Sequence, residues 1–410
     1  MYRKRRTLFC KTVTCLLLIP ATVSVYAAEW KIEPTLSFSA GYTDNIRLAS
    51  DNKTSTADIS FRPSTIFSVN TPTSGANGVL NFDFRRFEAD SNLNDDNVSI
   101  TSNFFRNLER SRLGVNLGFV KDTTLDSQLD STGVVFDRID RQSISIGPNW
   151  TYALNARTNV SSNYKYRQTT YKNANNTGLV DSAVNSASMS LTRSISSRLQ
   201  GTITLSGTRS NNDNDVESTN FSIQGGASYQ FDETWSTSLF IGARRTEVNF
   251  SQSSQIPILS GNTIIGFIPL TQDISNNTQG ITFNANISKA MQRGNITLTA
   301  TRSINNDING QPIETTSLRP SLNYKFSETL SGNLDLQYTT TKADTNITNS
   351  LDQASYQISP SFSWSLTKLW SLSGSYRYRK QSFDNARDDA TQNVVNLALT
   401  YIWPRIAISR

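Results

Sequence analysis

The chain has 410 residues, with 39 Lys and Arg against 33 Asp and Glu, two cysteines and no histidine. Histidine is the usual general base near neutral pH and the commonest metal ligand, so its absence excludes Ser-His hydrolases and histidine-ligated metal enzymes. Paired carboxylates could still act, but no spacing singles out a pair, and no cofactor motif is present. The residues therefore read as a protein that is not an enzyme and needs no cofactor.

Arg3, Lys4, Arg5 and Arg6, with Lys11 behind them, form a positive start, Val13 to Val25 an apolar run, and Val25-Tyr26-Ala27 a small-residue cleavage site. Residues 1–27 read as a secretory signal peptide, with a mature chain expected from Ala28. The apolar run is too short for a stable membrane-spanning helix, a retained anchor being the alternative. This segment holds five bases and no acid, which leaves 34 bases against 33 acids. The sequence pI of about 9.2 thus belongs to the targeting segment and is no reason to invoke nucleic acid. Cys10 and Cys15 lie in the same segment, in neither case placed for a lipoprotein anchor. The mature chain then has no disulfide, thiolate metal site or cysteine nucleophile.

From Ala28 onward no apolar stretch reaches the roughly 18 residues of a transmembrane helix. Apolar and polar residues alternate instead: Leu36, Phe38, Ala40 and Tyr42 around Ser37, Ser39 and Gly41, then Leu113, Val115, Leu117 and Phe119, and at the end Val395, Leu397, Leu399, Tyr401 and Trp403. That is the period of a strand with one apolar face. Eighteen such segments are predicted, at 35–43, 57–69, 79–88, 96–106, 112–121, 140–152, 158–170, 183–193, 200–209, 218–231, 235–249, 279–289, 294–303, 315–326, 330–341, 353–366, 371–382 and 392–403. Their lengths suit tilted strands crossing a bilayer core, and short connections alternate with long polar ones. The expected fold is all-β: a closed antiparallel transmembrane β-barrel of about 18 strands over residues 28–403, with short periplasmic turns, long extracellular loops and a short tail over 404–410. A propeller, with a similar repeat, would need four strands where each period here supplies two.

Phe67, Phe104, Tyr152, Phe231, Tyr324, Phe326, Trp364, Trp370, Tyr401 and Trp403 cluster beside the short turns, as an interfacial girdle would. Pro63, Pro148, Pro320 and Pro360 fall inside strands, each four residues before an aromatic. Proline removes a ladder donor, and the shared register suggests a bulge or bend.

Strand parity assigns Arg62, Arg85, Arg141, Lys165, Arg167, Arg244, Arg319, Lys325, Arg377 and Arg379 to the lumen, together with Asp58, Asp83 and Asp335. Such a wall would favour anionic solutes; alternatively the arginines are wall residues paired with loop carboxylates. Residues 250–278 form an unusually apolar loop that reads as two short strands around Ser260-Gly261-Asn262. Its Ile256, Ile258, Leu259, Ile264, Ile265, Phe267 and Ile268 could gate the mouth, stack on other loops or meet a partner.

Trp30, Tyr42-Thr43-Asp44-Asn45-Ile46, the proline-to-aromatic spacing and the closing Leu399-Thr400-Tyr401-Ile402-Trp403-Pro404-Arg405 together resemble an outer-membrane β-barrel porin family. Its members are commonly found with exopolysaccharide, capsule or exosortase gene clusters. The resemblance covers essentially the whole mature chain. It implies a pore in the Gram-negative outer membrane that gives a surface or capsular polysaccharide a route outward. It also implies contact with outer-membrane lipid, periplasmic export components and the barrel assembly machinery. No catalytic residue follows from it. Many such barrels end on an aromatic residue, whereas this chain runs seven residues past Trp403. The rival readings are a general diffusion porin and a structural or adhesive surface barrel.

Overall fold

The structure is a computed structural model that describes residues 28–125, 127, 138–172, 174, 177, 179–260, 263–306, 312–343, 352–383 and 388–409. Residues 1–27, read as a targeting segment, lie outside the described residues.

Eighteen long antiparallel strands make up the wall. In chain order they are β1 (Glu29–Thr43), β2 (Thr56–Asn70), β3 (Ser74–Phe87), β4 (Asp95–Asn107), β5 (Ser111–Thr123), β6 (Asp140–Asn155), β7 (Thr158–Tyr171), β8 (Ser182–Ser194), β9 (Leu199–Asn212), β10 (Glu217–Gln230), β11 (Trp235–Ser260), β12 (Thr263–Met291), β13 (Gly294–Asn306), β14 (Pro312–Lys325), β15 (Leu330–Ala343), β16 (Gln353–Ser365), β17 (Trp370–Phe383) and β18 (Ala390–Ile402). Each pairs with its neighbours in sequence, and β1 closes the sheet on β18 from Thr35↔Ile402 to Thr43↔Val394. Closure removes the two edges that a sheet in hydrocarbon could not leave unpaired. A short β19 (Ile406–Ser409) then continues the wall beside Glu29–Ile32 of β1.

All eighteen predicted segments are strands. β1 begins six residues before its predicted start, because Glu29, Lys31 and Glu33 interrupt the polar side of the alternation with charge. β3 begins five residues earlier, since Ser74-Gly75-Ala76-Asn77-Gly78 offers no large apolar residue to read.

Parity separates two surfaces. Phe38, Ile59, Leu239, Ile281 and Leu397 point outward and are half or more exposed, an arrangement that only a lipid surround makes favourable. Near the short turns Trp150 packs on Tyr152, Tyr229 on Phe231, Tyr324 on Phe326, and Tyr401 lies between Trp370 and Trp403. Phe67 and Phe362 lie over Gly78 and Gly374, where a Cβ would collide with the ring. Toward the opposite end, exposed Tyr338, Tyr356, Tyr376 and Tyr42 form a second, tyrosine-rich band on neighbouring strands.

The short turns repeat one device. Ser196, Asp232, Ser327 and Thr367 each accept hydrogen bonds from the backbone amides two and three residues on, which reverses the chain within a few residues. At Asp232 the Thr234 hydroxyl and the Thr234 and Trp235 amides hold the carboxyl below its ordinary range.

Pro63, Pro148, Pro320 and Pro360 are not bulges. The ladders pass from Phe61↔Phe84 to Ser64↔Asn81, from Ile146↔Tyr166 to Asn149↔Asn163, from Leu318↔Tyr338 to Ser321↔Asp335 and from Ile358↔Tyr378 to Ser361↔Ser375. The register is the same on both sides of each gap. Proline without its N–H simply opens two rungs toward the following strand, while the preceding strand stays paired at Leu36↔Pro63, Val115↔Pro148, Leu298↔Pro320 and Leu334↔Pro360.

Residues 250–278 are not a loop with two separate strands. β11 and β12 run on past the rim, paired with each other to Ser260↔Thr263 with one register shift between Ile258 and Leu259. The β10 ladder ends at Asn249 and the β13 ladder at Phe283, so beyond those points the ribbon pairs only with itself. Residues 250–260 alone span roughly 35 Å at about 3.3 Å per residue.

Two tests follow from the wall. Leu397→Arg places a charge on the lipid face and should cost roughly 2–4 kcal/mol near the midplane, with less assembled, heat-modifiable protein on gels. Asn396→Arg, one residue away and inward, should assemble normally; equal loss at both sites would refute the assignment of faces. Cysteines at Asp215 and Asp388, on the long-loop side, should react with a membrane-impermeant thiol reagent on intact cells, and cysteines at Gln292 and Glu328 should not.

Candidate functional site

The inner wall is made of small polar side chains that bond across neighbouring strands: Ser39 with Ser60, Asn103 with Asn116, Ser190 with Thr204, Ser206 with Ser222, Asn286 with Thr299 and Thr301 with Ser317. Hydroxyls and amides can exchange such bonds with water, so the surface suits a hydrated conduit.

All ten predicted bases lie on this inward face by register, and half of them meet a carboxylate. Asp83 receives Arg62 Nε at 3.0 Å and Arg85 at 3.0 Å. Arg141 grips Asp122 through two nitrogens at 2.8 and 2.6 Å. Arg319 Nε sits 3.0 Å from both oxygens of Asp335. Arg244, with only 2% of its side chain exposed, bonds Glu314 at 2.9 Å, and Arg302 meets the other Glu314 oxygen at 2.6 Å. Glu314 lies on β14, three strands along from β11, and the contact forms where the β12–β13 ladder has ended.

These acids stand mostly on strands and not in loops. Asp122 is on β5 and the fully buried Asp95 at the start of β4, both inward, beside Asp58, Asp83 and Asp335. The excess of base is therefore smaller than parity alone implies. Arg112 adds an inward base that the sequence reading missed, stacked over Phe105 at 4.3 Å. Among the described residues Lys165, Arg167 and Lys325 make no ion pair. Arg379 donates from Nε and a terminal nitrogen to Gln357 Oε1 at 3.1 and 2.8 Å.

Each proline gap also has a lumenal neighbour. The skipped inward positions are Arg62 with Asp83, Gly147 with Lys165, Arg319 with Gln337 and Ser359 with Arg377. A base stands at every gap, so four of the ten share the height at which the wall loosens.

The long-loop end is packed. Loop 44–55 turns inward: Asn45 is fully buried, its side-chain nitrogen donates to the carbonyls of Ala49 and Thr391 at 2.7 and 2.8 Å, and its oxygen accepts from Ala49 N. Asp44 accepts from the backbone and side chain of Asn393, and Gln392 donates to the Asn45 carbonyl. Leu48 is buried with φ at 51°, a conformation that a non-glycine residue adopts only when its surroundings dictate it. Ile46 packs with Leu93 and Leu125 from the next two loops against the inward Phe87 of β3. Beside that cluster lies a cavity of about 180 Å³ whose lining includes Asp58, Arg85, Asp95, Arg377 and Arg379. Asp95 is held there by Arg138 at 2.9 Å.

The predicted gate residues Ile256, Ile258, Leu259, Ile264, Ile265, Phe267 and Ile268 lie on the ribbon, paired across it as Ile256↔Ile268, Pro257↔Phe267, Ile258↔Gly266 and Leu259↔Ile264. Their side chains lie outside the described ones. The inward-folded loop 44–55 had a sequence signal, the Asp44-Asn45 pair followed by isolated Ile46 and Leu48, but nothing in the sequence shows which way a polar loop turns.

Geometry of this kind defines a class: a closed antiparallel barrel with an apolar outside, a polar inside and two aromatic bands, as in Gram-negative outer-membrane proteins. No protein-family model matches the chain, and no curated protein does. Among solved structures it is similar to the closed form of the ferric-catecholate import receptor Fiu from E. coli K12, with a TM-score of 0.50 and 8% identity over 91% of this chain and 81% of that one. It is also similar to OccK2 (OpdF) of Pseudomonas aeruginosa, solved in complex with glucuronate, with a TM-score of 0.48 and 10% identity over 91% and 98%. Acinetobacter baumannii OccAB4 gives 0.47 and 11% over 92% and 98%. At such identities the likeness concerns the fold alone.

Glu314→Gln should leave the buried Arg244 without its carboxylate and destabilise the barrel by about 3–5 kcal/mol, measured as a lower urea midpoint in lipid vesicles. A midpoint equal to wild type would mean that the pair adds nothing to the wall.

Proposed function

We propose that the chain is a passive pore of the Gram-negative outer membrane that carries an anionic exopolysaccharide or capsular polysaccharide outward. The observation that carries this reading is the inward face: hydroxyls and amides along its length, with bases in excess, and apolar packing limited to the small cluster of Ile46, Leu93 and Leu125 on Phe87 at the long-loop end. A wall of this kind concentrates anions and lets them exchange weak contacts without tight binding, as conduction requires. Residues 1–27 would direct the chain across the inner membrane and be removed, and the barrel assembly machinery would insert the rest. Periplasmic export components would deliver the polymer. No catalytic residue, metal or cofactor has a part in this scheme.

A general diffusion porin for small solutes fits the same wall equally well, and the packed long-loop end is the observation that favours it. A structural or adhesive barrel would need no open lumen at all.

Polysaccharide in the culture medium, measured with and without the gene, separates export from diffusion: deletion should reduce secreted polymer and complementation restore it. In planar bilayers the protein should pass Cl⁻ in preference to K⁺ at low salt. That preference should fade as salt shortens the Debye length below about 8 Å. A pore that prefers K⁺ would sink the anionic substrate, and unchanged secretion would leave the diffusion porin.

A further inference from the structure

Charge is unevenly spread around the short-turn rim of the barrel. Leaving aside the inward Arg112 and Lys325, the foot of β4 to β8 carries Arg106, Arg110, Arg157 and Arg193, and the acid among those strand ends and turns is Glu109. Farther round, at the foot of β10 to β15, Asp232, Glu233 and Glu328 offset Lys289 and Arg293. Among the described residues no carboxylate forms an ion pair with the arginines of the first sector.

Strand parity says where these charges point. Arg106 continues the outward series of Ile100 and Phe104 on β4, and Arg193 continues Met189 and Leu191 on β8. Both leave the wall on its lipid side, one step beyond the apolar belt. Arg110 is fixed in the β4–β5 turn: it donates to the Leu154 carbonyl at 2.8 Å and lies over the outward Tyr152 ring at 5.8 Å. One N–H given to a neutral carbonyl holds the guanidinium on the rim and leaves its charge unbalanced.

Above this foot the lipid face is hollowed. A groove of about 600 Å³ runs between Phe104 on one side and Trp150 and Tyr164 on the other, over a floor of Leu113, Val115 and Pro148, and Arg106 lines it as well. Register explains the shape. Leu113 pairs with Trp150 and Trp150 with Ser162, so the indole ridge is followed by a residue with almost no side chain. Pro148 sits in the gap of the β6–β7 ladder, where Tyr164 faces it across the open rungs.

We infer that this sector is a binding site for an anionic phospholipid of the periplasmic leaflet, with an acyl chain in the groove and the headgroup phosphate at Arg106 and Arg110. The inference goes beyond the pore reading and holds whichever solute the lumen carries.

The balance of forces assigns discrimination to the headgroup. In a bilayer an acyl chain leaves one apolar surround for another, so the groove gains little from burial and acts by shape. The phosphate gains more. Guanidinium forks match its oxygens in pairs, and here they do so beside hydrocarbon. A zwitterionic lipid brings its own ammonium to the same place and offsets the attraction, whereas a lipid with a net negative head does not. Trp150 and Tyr152, with ring centroids 5.7 Å apart, set the depth, because such rings settle at headgroup level. An acidic protein segment would answer the arginines but not the groove, which opens on lipid.

The test uses protein shown to be assembled by heat-modifiable migration and placed in nanodiscs of equal phosphatidylglycerol and phosphatidylcholine. It is then released into mild detergent, and the retained lipids are counted by native mass spectrometry. Wild type should retain phosphatidylglycerol in preference to phosphatidylcholine. Arg106→Gln with Arg110→Gln should cut that preference by about fivefold for each base removed. Ser162→Phe, which fills the groove and leaves the bases intact, should lose most of the retained lipid. Lys289→Gln with Arg293→Gln, on the balanced part of the rim, should change neither. Should Ser162→Phe fail to assemble, Trp150 supplies the same answer: the emission that Trp150→Phe removes should be quenched more by dibrominated phosphatidylglycerol than by dibrominated phosphatidylcholine. Wild type without a preference, or equal quenching by the two lipids, overturns the site. An equal loss in the Lys289 and Arg293 variant overturns it too, by making the attraction a diffuse property of the rim. A loss confined to the arginine variant, with Ser162→Phe like wild type, also overturns it and leaves a basic surface open to an acidic protein.

Discussion

The rest of the structure depends on one constraint: in hydrocarbon a backbone N–H or C=O without a partner has no water to turn to. Each orphan costs several kcal/mol, so the strands of this chain must bond on both sides and the sheet must close, as β1 does on β18. Closure then dictates the rest of the wall. Every strand must be long enough to cross, successive strands must run antiparallel through turns at two levels, and side chains must alternate between lipid and lumen. The exceptions mark where the constraint relaxes. The β11–β12 ribbon gives up outer partners beyond Asn249 and Phe283, past the ends of the neighbouring ladders. The prolines give up two rungs each, always toward one side, beside a lumenal base.

Charge inside the wall obeys a related rule. A guanidinium on the inner face is close to a low-dielectric shell, so it is held by a carboxylate, by an amide or by lumenal water. Arg141 with Asp122 and Arg319 with Asp335 are neighbours across one ladder and fix wall geometry as much as field. Such pairs cancel locally. Among the described residues Lys165 and Arg167 on β7 and Lys325 on β14 stand outside them, and Lys165 and Arg167 share one face of one strand two residues apart.

The two ends of the barrel differ because their connections do. At one end Ser196, Asp232, Ser327 and Thr367 reverse the chain in so few residues that no side chain can reach the lumen. At the other, loops are long enough to turn back inward, and loop 44–55 does so because Asn45 satisfies backbone groups of its own loop and of β18 at once. A buried polar residue with every bond made is a strong local determinant. Here it brings Ile46 over the lumen, where Leu93 and Leu125 complete an apolar contact on Phe87. The ribbon meanwhile satisfies its backbone by pairing with itself, and needs no such help to stand clear of the rim.

The barrel was legible in the sequence, strand by strand, because the membrane imposes a two-residue period that survives without any tertiary information. Leu397 beside Asn396 already says which side faces lipid. The lumenal bases were legible for the same reason. Parity could not show which bases are neutralised, because ion pairs depend on register between strands: Arg244 finds Glu314 across three places in the sheet, a relation that no spacing along the chain encodes. Nor could it show that Pro63, Pro148, Pro320 and Pro360 leave the register intact, since a bulge and an open rung look alike in one strand and differ only in the partner. The mouth was the least legible part. Ile256 to Ile268 read as an apolar loop, yet continuous pairing makes them a ribbon, while the polar Asp44-Asn45 start of another loop is anchored on β18. Periodic strands report their environment residue by residue, whereas a loop's position is decided by hydrogen bonds to residues such as Thr391 and Asn393, hundreds of positions away, that only the closed barrel brings beside it.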